Sequence, residues 1–240
     1  GGGTSLSGQS IGPGIVIDCS KYLNHIGEVD VTGRRVRVQP GVVLDQLNRE
    51  LSKYGLQFGP EVATASRATL GGMIGNNSAG SRSILYGKTV DHVRSLNMIA
   101  ANGTPLEFRS LTAAEYEKKL ELRTPEGNIY RSIDHIVRDN AAEIDKRFPK
   151  IIRRVSGYNL ADLLPRASET DASLVPRPSP LAPCSLVPLL VGSEGTLGVI
   201  AEAELSLVPR PKHRGLLVPQ FSSLAAALDS LAACLELQPS

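Results

Sequence analysis

The sequence predicts an α+β protein, with one large domain of sheets flanked by helices and then the first elements of a smaller one. Three observations carry this. Short runs with strand-like alternation recur along the chain, at 34–41, 92–108 and 191–209. Between them lie stretches whose apolar residues fall three and four apart, the spacing of a helix with one buried face. Glycine is gathered into three clusters, at 1–14, 71–87 and 192–198. Such clusters mark places where the backbone takes positive φ or lets another group approach closely.

The elements follow in order. "GPGIVIDCS" (12–20) reads as a short buried strand behind a Gly-Pro turn, because Ile15-Val16-Ile17 is a β-branched run. "RRVRVQPG" (34–41) alternates as a half-buried strand should. "VVLDQLNRELSKYG" puts Leu44, Leu47, Leu51 and Tyr54 on one helical face, with Gly55 as its C-cap. "HVRSLNMIAANGTPLEF" (92–108) is strand, Asn-Gly turn and strand, a β-hairpin. Residues 112–121 and 132–148 are charged helices. The stretch 165–188, "PRASETDASLVPRPSPLAPCSLVP", is too rich in proline for a regular helix or central strand and reads as a surface excursion. "VGSEGTLGVIAEAELSLVP" (191–209) ends in a strand. "HRGLLVPQF" is a candidate strand, and "SSLAAALDSLAACLELQ" is a helix capped by Ser222 or Ser223. The expected division is therefore 1–211, with a helical insert at 110–150 and the proline-rich loop at 165–188, followed by 212–240.

Composition excludes several functions. A net charge of +2 with scattered basic residues gives no electrostatic footprint for nucleic acid. With aromatics at 4% and no Trp, base-stacking platforms are not expected. Cys19, Cys184 and Cys234 lie far apart and form no C-x-x-C, so they read as reduced thiols of a cytosolic protein and no metal site is expected. No apolar run reaches the roughly 20 residues that span a bilayer. The chain opens without Met inside a glycine-rich loop and closes just after a helix, and it is expected to be a piece of something longer.

The opening "GGGTSLSGQS" has the spacing of a phosphate-binding P-loop from Gly3 to Ser10, with Gln9 in place of the lysine. A P-loop needs a helix directly after it. Here Ile11-Gly12-Pro13-Gly14 and a β-branched run follow, so a nucleotide triphosphatase is excluded. What remains is a nest of glycine amides, helped by the hydroxyls of Thr4, Ser5 and Ser7, suited to a diphosphate held without lysine or metal. The second cluster, "ATASRATLGGMIGNNSAGSRSILYGKTVDHV" (63–93), could line a ligand over a long path, and "GSEGTLGVI" (192–200) could add a third wall.

Together, "GGGTSLSGQS", "GPEVATASRATLGGMIGNNSAGSRSILYGKTVDHV", "RRVSGYNLADLLP" and "LVGSEGTLGVIAEAELSLVP" resemble the PCMH-type FAD-binding domain of the vanillyl-alcohol oxidase superfamily. The branch they most resemble is that of FAD-linked D-2-hydroxyacid dehydrogenases acting on D-lactate, glycolate or D-2-hydroxyglutarate, in a long bacterial form with a C-terminal iron–sulfur module. The resemblance implies a fold of mixed sheets flanked by helices, truncated at its N-terminus, and the start of a ferredoxin-like cap domain at 212–240. It implies FAD held by Gly1, Gly2, Gly3, Thr4, Ser5, Gly8 and Gln9. Pro60, Thr64, Ala65, Leu70, Gly71, Gly72, Gly75, Asn76, Ser78, Ala79 and Gly80 would run along flavin and diphosphate, with Gly198, Val199 and Ile200 at the adenine or ribose end. Relatives that attach FAD covalently use a His or Cys. Thr4 takes the first of those positions and 71–87 holds no Cys, so FAD is expected to be non-covalent.

The same resemblance places "KIIRRVSGYNL" on the substrate side. Arg153, Arg154, Tyr158 and Asn159 are the candidate catalytic residues, as carboxylate clamp and hydrogen-bonding partners. The alternative is a helix-end basic pair beside a structural Tyr. His92, in "TVDHV", is more simply a structural histidine than a base, and the base is expected beyond Ser240, leaving this chain inactive alone. The reaction implied is oxidation of a 2-hydroxy acid to the 2-oxo acid by hydride transfer to flavin N5. The electron acceptor would be an iron–sulfur module or a quinone. The location would be cytoplasmic, with peripheral membrane contact left open. Other enzymes of the superfamily (an aldonolactone oxidase, an alkylglycerone-phosphate synthase or a peptidoglycan-precursor reductase), a non-catalytic FAD-binding module, and a remnant too truncated to bind FAD are the competing readings.

Overall fold

The computed structural model describes residues 1–5, 12–13, 15–151, 153–164, 185–213 and 215–237. They fall into two compact units, Gly1–Pro209 and Arg210–Ser240.

In the first unit, β1 (Ile26–Asp30) and β2 (Arg35–Val38) lead into α1 (Leu44–Leu51) and the two-residue β3 (Leu56–Gln57). Then come α2 (Leu70–Asn76), α3 (Ser83–Tyr86), the hairpin β4 (Val93–Ile99) and β5 (Pro105–Arg109), and three helices, α4 (Ala113–Glu121), α5 (Pro125–Asp139) and α6 (Ala141–Arg147). The single turn α7 (Val187–Leu190), β6 (Val199–Ser206) and β7 (Val208–Pro209) complete the unit. The main sheet has the order β1-β2-β6-β4-β5, and β3 pairs with β7 in a second sheet. Every described pairing is antiparallel. This is the α+β class expected, with sheets that are antiparallel where mixed ones were anticipated.

The main sheet has one dry face. Val36, Val38, Leu96, Met98, Phe108, Ala203 and Leu205 are buried on it, each within 3% exposure, and pack with residues of α1, α2, α5 and α7 in one core. On β2 and β6 the alternate residues are charged. Arg37 reaches Glu202 at 3.4 Å and Glu204 at 3.5 Å, and Arg94 reaches Glu204 at 3.1 Å. Such exposed pairs contribute little to stability, but they keep that face in water and so hold the register.

α1 forms as its pattern requires. Leu44, Leu47 and Leu51 are fully buried, each worth roughly 1.5–3 kcal/mol on transfer from water, and Gly55 ends the following turn at φ +67. Thr112 and Thr124 cap α4 and α5, accepting from Glu115 N and Gly127 N. Arg109 and Thr112 hold the Glu115 carboxyl down to about 2.

Two expectations for this unit need correction. Residues 15–17 are not a buried strand. Ile15, Val16 and Ile17 are 95%, 73% and 57% exposed, and no described strand pairs with them. Strand propensity favours an extended backbone, but a ladder needs a partner. The proline-rich excursion also ends sooner than 188. Residues 165–184 lie outside the described set, whereas Val187–Leu190 forms a buried turn of helix with Pro188 in its first positions, where proline is tolerated.

His92 is structural. Its ring is 1% exposed and edge-on to Phe58 at 5.5 Å, and a Cβ on Gly59 would lie 2.6 Å from its Cε1. Nε2 lies 2.6 Å from the Tyr86 carbonyl, which can only accept, so Nε2 carries the proton. Burial pushes the pKa below the ordinary histidine value, against the opposing pull of the Tyr86 carbonyl and Asp91. The unfolded chain therefore takes up this proton first as pH falls. Stability that is full above about pH 6.5 should drop below it, with a slope of at most about 1.4 kcal/mol per pH unit. Chemical denaturation from pH 7.5 to 5 should show a flatter profile for His92→Gln than for the wild type.

In the second unit, α8 (Leu224–Asp229) and α9 (Leu231–Glu236) stand where one helix was expected. Ser223 caps α8, its Oγ accepting from Ala226 N at 3.2 Å. The break falls at Ser230, whose hydroxyl donates to the Ala227 carbonyl. Residues 215–221 form no strand, and Leu216 is 91% exposed. No helix of the described residues is long and apolar enough to cross a membrane.

Candidate functional site

The three glycine clusters meet at one cleft of about 640 Å³, within the roughly 300–1,000 Å³ of small-molecule sites. One wall is α2. Its N–H groups at Leu70 and Gly71 bond the carbonyls of Val42 and Pro40, both at 2.8 Å, which sets the helix against the loop after β2. Gly72 and Gly75, three apart, line the cleft from the same helix, so this face is bare backbone. A Cβ on Gly75 would meet only Glu194 Cα at 3.8 Å, so a side chain there would have room to enter the cleft. Gly71 also lines it but is held tightly, since a Cβ would come within 2.6 Å of Pro40.

The opposite wall is Ser193, Gly195, Gly198, Val199 and Ile200. The loop carrying the first two is docked on the end of α2 by Gly192 N to Ile74 O at 2.9 Å and Glu194 N to Gly75 O at 3.0 Å. Both carbonyls lie in the last turn of the helix, and Ile74 O also accepts from Asn77 N at 3.2 Å. Gly1 enters beside Thr69, whose Oγ1 would lie 3.3 Å from a Gly1 Cβ, and Gly2 stands against Thr64. Gly3 takes φ +66 in open space, and Thr4 and Ser5 are exposed. Gly8 and Gln9 lie outside the described residues.

Residues 15–20 close the remaining side. Their main chain is anchored by Gly41, whose N–H donates to the Leu23 carbonyl at 2.7 Å and where a Cβ would stand 2.1 Å from the Cys19 carbonyl. Asp18 accepts from Ser20 Oγ at 2.7 Å and Ser20 N at 2.9 Å, which holds its carboxyl below the usual value. Desolvation and that carboxylate push the Cys19 thiol up. Among the described residues that line the cleft, none is Lys or Arg.

Other expected positions serve packing. Leu70 is fully buried in the core, and Pro60 is buried beside Gly59. Ala65 O accepts from Asp45 N at 3.1 Å, tying the 63–67 turn to α1. Asn76 Nδ2 donates to Ser78 Oγ, Ser78 O accepts from Thr89, and Ala79 bridges to Lys88. At Gly80 a Cβ would fall 1.8 Å from the Glu61 carbonyl oxygen.

Arg153, Arg154, Tyr158 and Asn159 do not line the cleft. Arg153 donates to Ser83 Oγ at 2.5 Å and to the Gly80 carbonyl at 3.0 Å. Arg154 pairs with Asp162 at 2.7 Å, both side chains mostly buried, and lies over the Phe148 ring. Tyr158 is 43% exposed, its OH 2.8 Å from Thr196 Oγ1. Asn159 is 1% exposed and donates to the Val191 carbonyl at 3.2 Å. Among the described residues no His, Cys, Asp and Glu group could hold a metal ion.

Sequence reasoning missed Ile15–Ser20, Pro40, Thr69, Ser193 and Gly195 as lining residues. Ser193 and Gly195 lay within a glycine cluster already singled out. Asp18 and Ser20 form an Asx turn, a local signal that was available.

Comparison with known proteins adds to this geometry. Residues 1–109 match the model of a family described as an FAD binding domain. A D-2-hydroxyglutarate dehydrogenase of Pantoea ananatis is 38% identical over 238 residues, covering 99% of this chain and 22% of that protein. One of Escherichia coli is 36% identical over 229 residues, covering 95% of this chain and 21% of that protein. The glycolate oxidase subunit GlcD of Bacillus subtilis is 27% identical over 232 residues, covering 96% of this chain and 36% of that protein. The chain spans about a fifth of the length of the dehydrogenases it matches.

Proposed function

We propose that this chain, whose residues 1–109 carry an FAD-binding domain, holds FAD non-covalently in the glycine-walled cleft. We place it in a dehydrogenase that oxidises a D-2-hydroxy acid, of the D-2-hydroxyglutarate kind, to the 2-oxo acid. The observation that carries the reading is the bare helical face of Gly72 and Gly75 opposite Ser193 and Gly195. A flat ring system and a diphosphate can approach backbone there more closely than any side chain would allow. With no Lys or Arg among the described residues of the walls, the negative charge of the cofactor is met by main-chain N–H groups and by the hydroxyls of Thr69 and Ser193. Asp18 belongs at the end away from the diphosphate, where its carboxylate can accept from hydroxyl or amino groups.

When bound, FAD supplies the hydride acceptor. The chain's own residues bind, orient and exclude water. Of the four residues expected to meet substrate, we retain Tyr158 as the contact, with Thr196 fixing its hydroxyl. Arg153, Arg154 and Asn159 act by holding that segment, because each already donates elsewhere, Arg153 to Ser83 and Gly80, Arg154 to Asp162 and Asn159 to the Val191 carbonyl. Residues 212–240 fit the beginning of a separate substrate-binding domain. The electron acceptor that belongs to this reading is an iron–sulfur module or a quinone, in a cytoplasmic protein.

Anaerobic addition of D-2-hydroxyglutarate to the flavin-loaded full-length protein should bleach the flavin's visible band, and acid precipitation should leave all flavin in the supernatant. If no D-2-hydroxy acid bleaches the band, the dehydrogenase assignment falls. Flavin retained in the pellet would overturn the non-covalent assignment alone.

A further inference from the structure

The direction of one proton can be read beside the cleft wall. Tyr158 OH and Thr196 Oγ1 lie 2.8 Å apart, and by that contact alone either oxygen could donate. Thr196 settles which. Its Oγ1 also lies 2.5 Å from the Ser193 carbonyl oxygen, which has no proton to give. Two oxygens that close with no hydrogen between them would repel, so Thr196 spends its single proton on Ser193. Toward Tyr158 it can only accept. The tyrosine's own proton is therefore committed to Thr196, and what its oxygen still offers is lone pairs.

The position of this oxygen is fixed from several sides. Tyr158 stands between Gly157, at φ +70, and Asn159, which is buried and donates to the Val191 carbonyl. The Gly157 carbonyl oxygen lies 3.4 Å from where a Gly192 Cβ would stand. Residues 157–159 are thus seated along residues 191–196, the loop that carries Ser193 and Gly195 into the cleft wall. The Tyr158 side chain is exposed, and among the described residues no donor reaches its remaining lone pairs.

An oxygen that can only accept discriminates between polar groups. It is repelled by a carboxylate, which also offers only lone pairs, and is matched by an alcohol O–H. A 2-hydroxy acid carries both. We infer that Tyr158 is a specificity-determining residue that accepts a hydrogen bond from the C2 hydroxyl of the substrate, with Thr196 as the positioning residue that sets the direction of its proton. This rests on the reading of Tyr158 as the substrate contact. The substrate's carboxylates are then met by donors other than Tyr158. The cofactor carries alcohols too, on its ribityl chain and ribose, and the same oxygen would match those, so the test has an arm for each source.

The test compares two ligands of the flavin-loaded full-length protein. D-2-hydroxyglutarate has the hydroxyl; glutarate has the same two carboxylates without it. The first is measured from the concentration dependence of anaerobic flavin reduction, the second as a competitive inhibitor of that reduction. For Tyr158→Phe, the dissociation constant of D-2-hydroxyglutarate should rise about tenfold, the size of one neutral hydrogen bond, while that of glutarate changes by less than about twofold. Flavin affinity should stay at the wild-type value. Thr196→Val frees the tyrosine proton to turn outward, so the preference for the hydroxy acid over glutarate should shrink at least about threefold. Thr196→Ser, which keeps the hydroxyl, should keep the preference. Equal weakening of both ligands by Tyr158→Phe is what donation to a carboxylate or a loosened loop would give, and it overturns the inference, as does no change in either. A wild-type preference in Thr196→Val overturns the role of Thr196 alone. Loss of flavin affinity in Tyr158→Phe with the preference unchanged gives the alcohol to the cofactor and overturns the substrate assignment. A wild type whose flavin no D-2-hydroxy acid reduces refutes the dehydrogenase reading and takes the substrate assignment with it; failure of the inference alone leaves wild-type reduction intact.

Discussion

Gly75→Leu is expected to abolish flavin binding while leaving the flavin-free protein folded. Position 75 lies inside α2, where glycine is the weaker choice, and a residue with a side chain improves helix propensity by about 0.5–1 kcal/mol. The fold leaves space for it, since the nearest atom to a Cβ is Glu194 Cα at 3.8 Å. That space is the cleft. A leucine would occupy the region where the cofactor meets bare backbone, so affinity should fall at least about 100-fold, equivalent to about 2.8 kcal/mol. Flavin fluorescence quenching measures the affinity, and thermal melting of the apo-protein should show no decrease. Wild-type affinity in this variant would mean that the cofactor binds elsewhere.

Gly80→Ala should do the opposite, damaging the fold before any ligand is considered. A methyl group would stand 1.8 Å from the Glu61 carbonyl oxygen, 2.6 Å from its carbon and 2.8 Å from the Glu61 nitrogen. All three are backbone atoms, so no side-chain rotation relieves the clash. The strain also reaches Arg153 and Ser83, which bond the Gly80 carbonyl at 3.0 and 3.1 Å. We expect a loss of about 3–5 kcal/mol, or roughly 10 °C in melting temperature for a domain of this size. Ser81→Ala, at an exposed neighbouring position, should change little. Were the glycine required only by the ligand, the apo-protein of Gly80→Ala would melt like wild type.

The pair shows what was legible in the chain. Both glycines belonged to one cluster and carried the same expectation, yet one borders a ligand-sized space and the other a carbonyl. A glycine cluster signals close approach without saying what approaches. Local patterns transferred well. The leucines of α1, the Asn-Gly hairpin after β4 and the Ser223 cap each depend on a few neighbouring residues. The run at 15–17 was misplaced because a strand is completed by a partner far away in sequence, which β-branched composition does not reveal. Arg153 and Arg154 illustrate the same limit. The partners of Arg153, Ser83 and Gly80, lie about 70 positions away, and a basic pair in a polar segment looks alike whether it awaits a carboxylate or already holds a backbone carbonyl. Asp162 was close enough to be noticed, eight residues after Arg154, but the turn that brings them together has no strong periodicity.

The absence of Lys and Arg among the described residues lining the cleft bears on how the grip responds to its medium. A diphosphate clasped by flexible cations is weakened by mobile counter-ions, over a screening distance of about 8 Å at physiological ionic strength. Fixed amide dipoles touching their guest exert a short-range pull that dissolved electrolyte barely reaches. Retention of the cofactor should therefore vary little between dilute buffer and a concentrated salt solution.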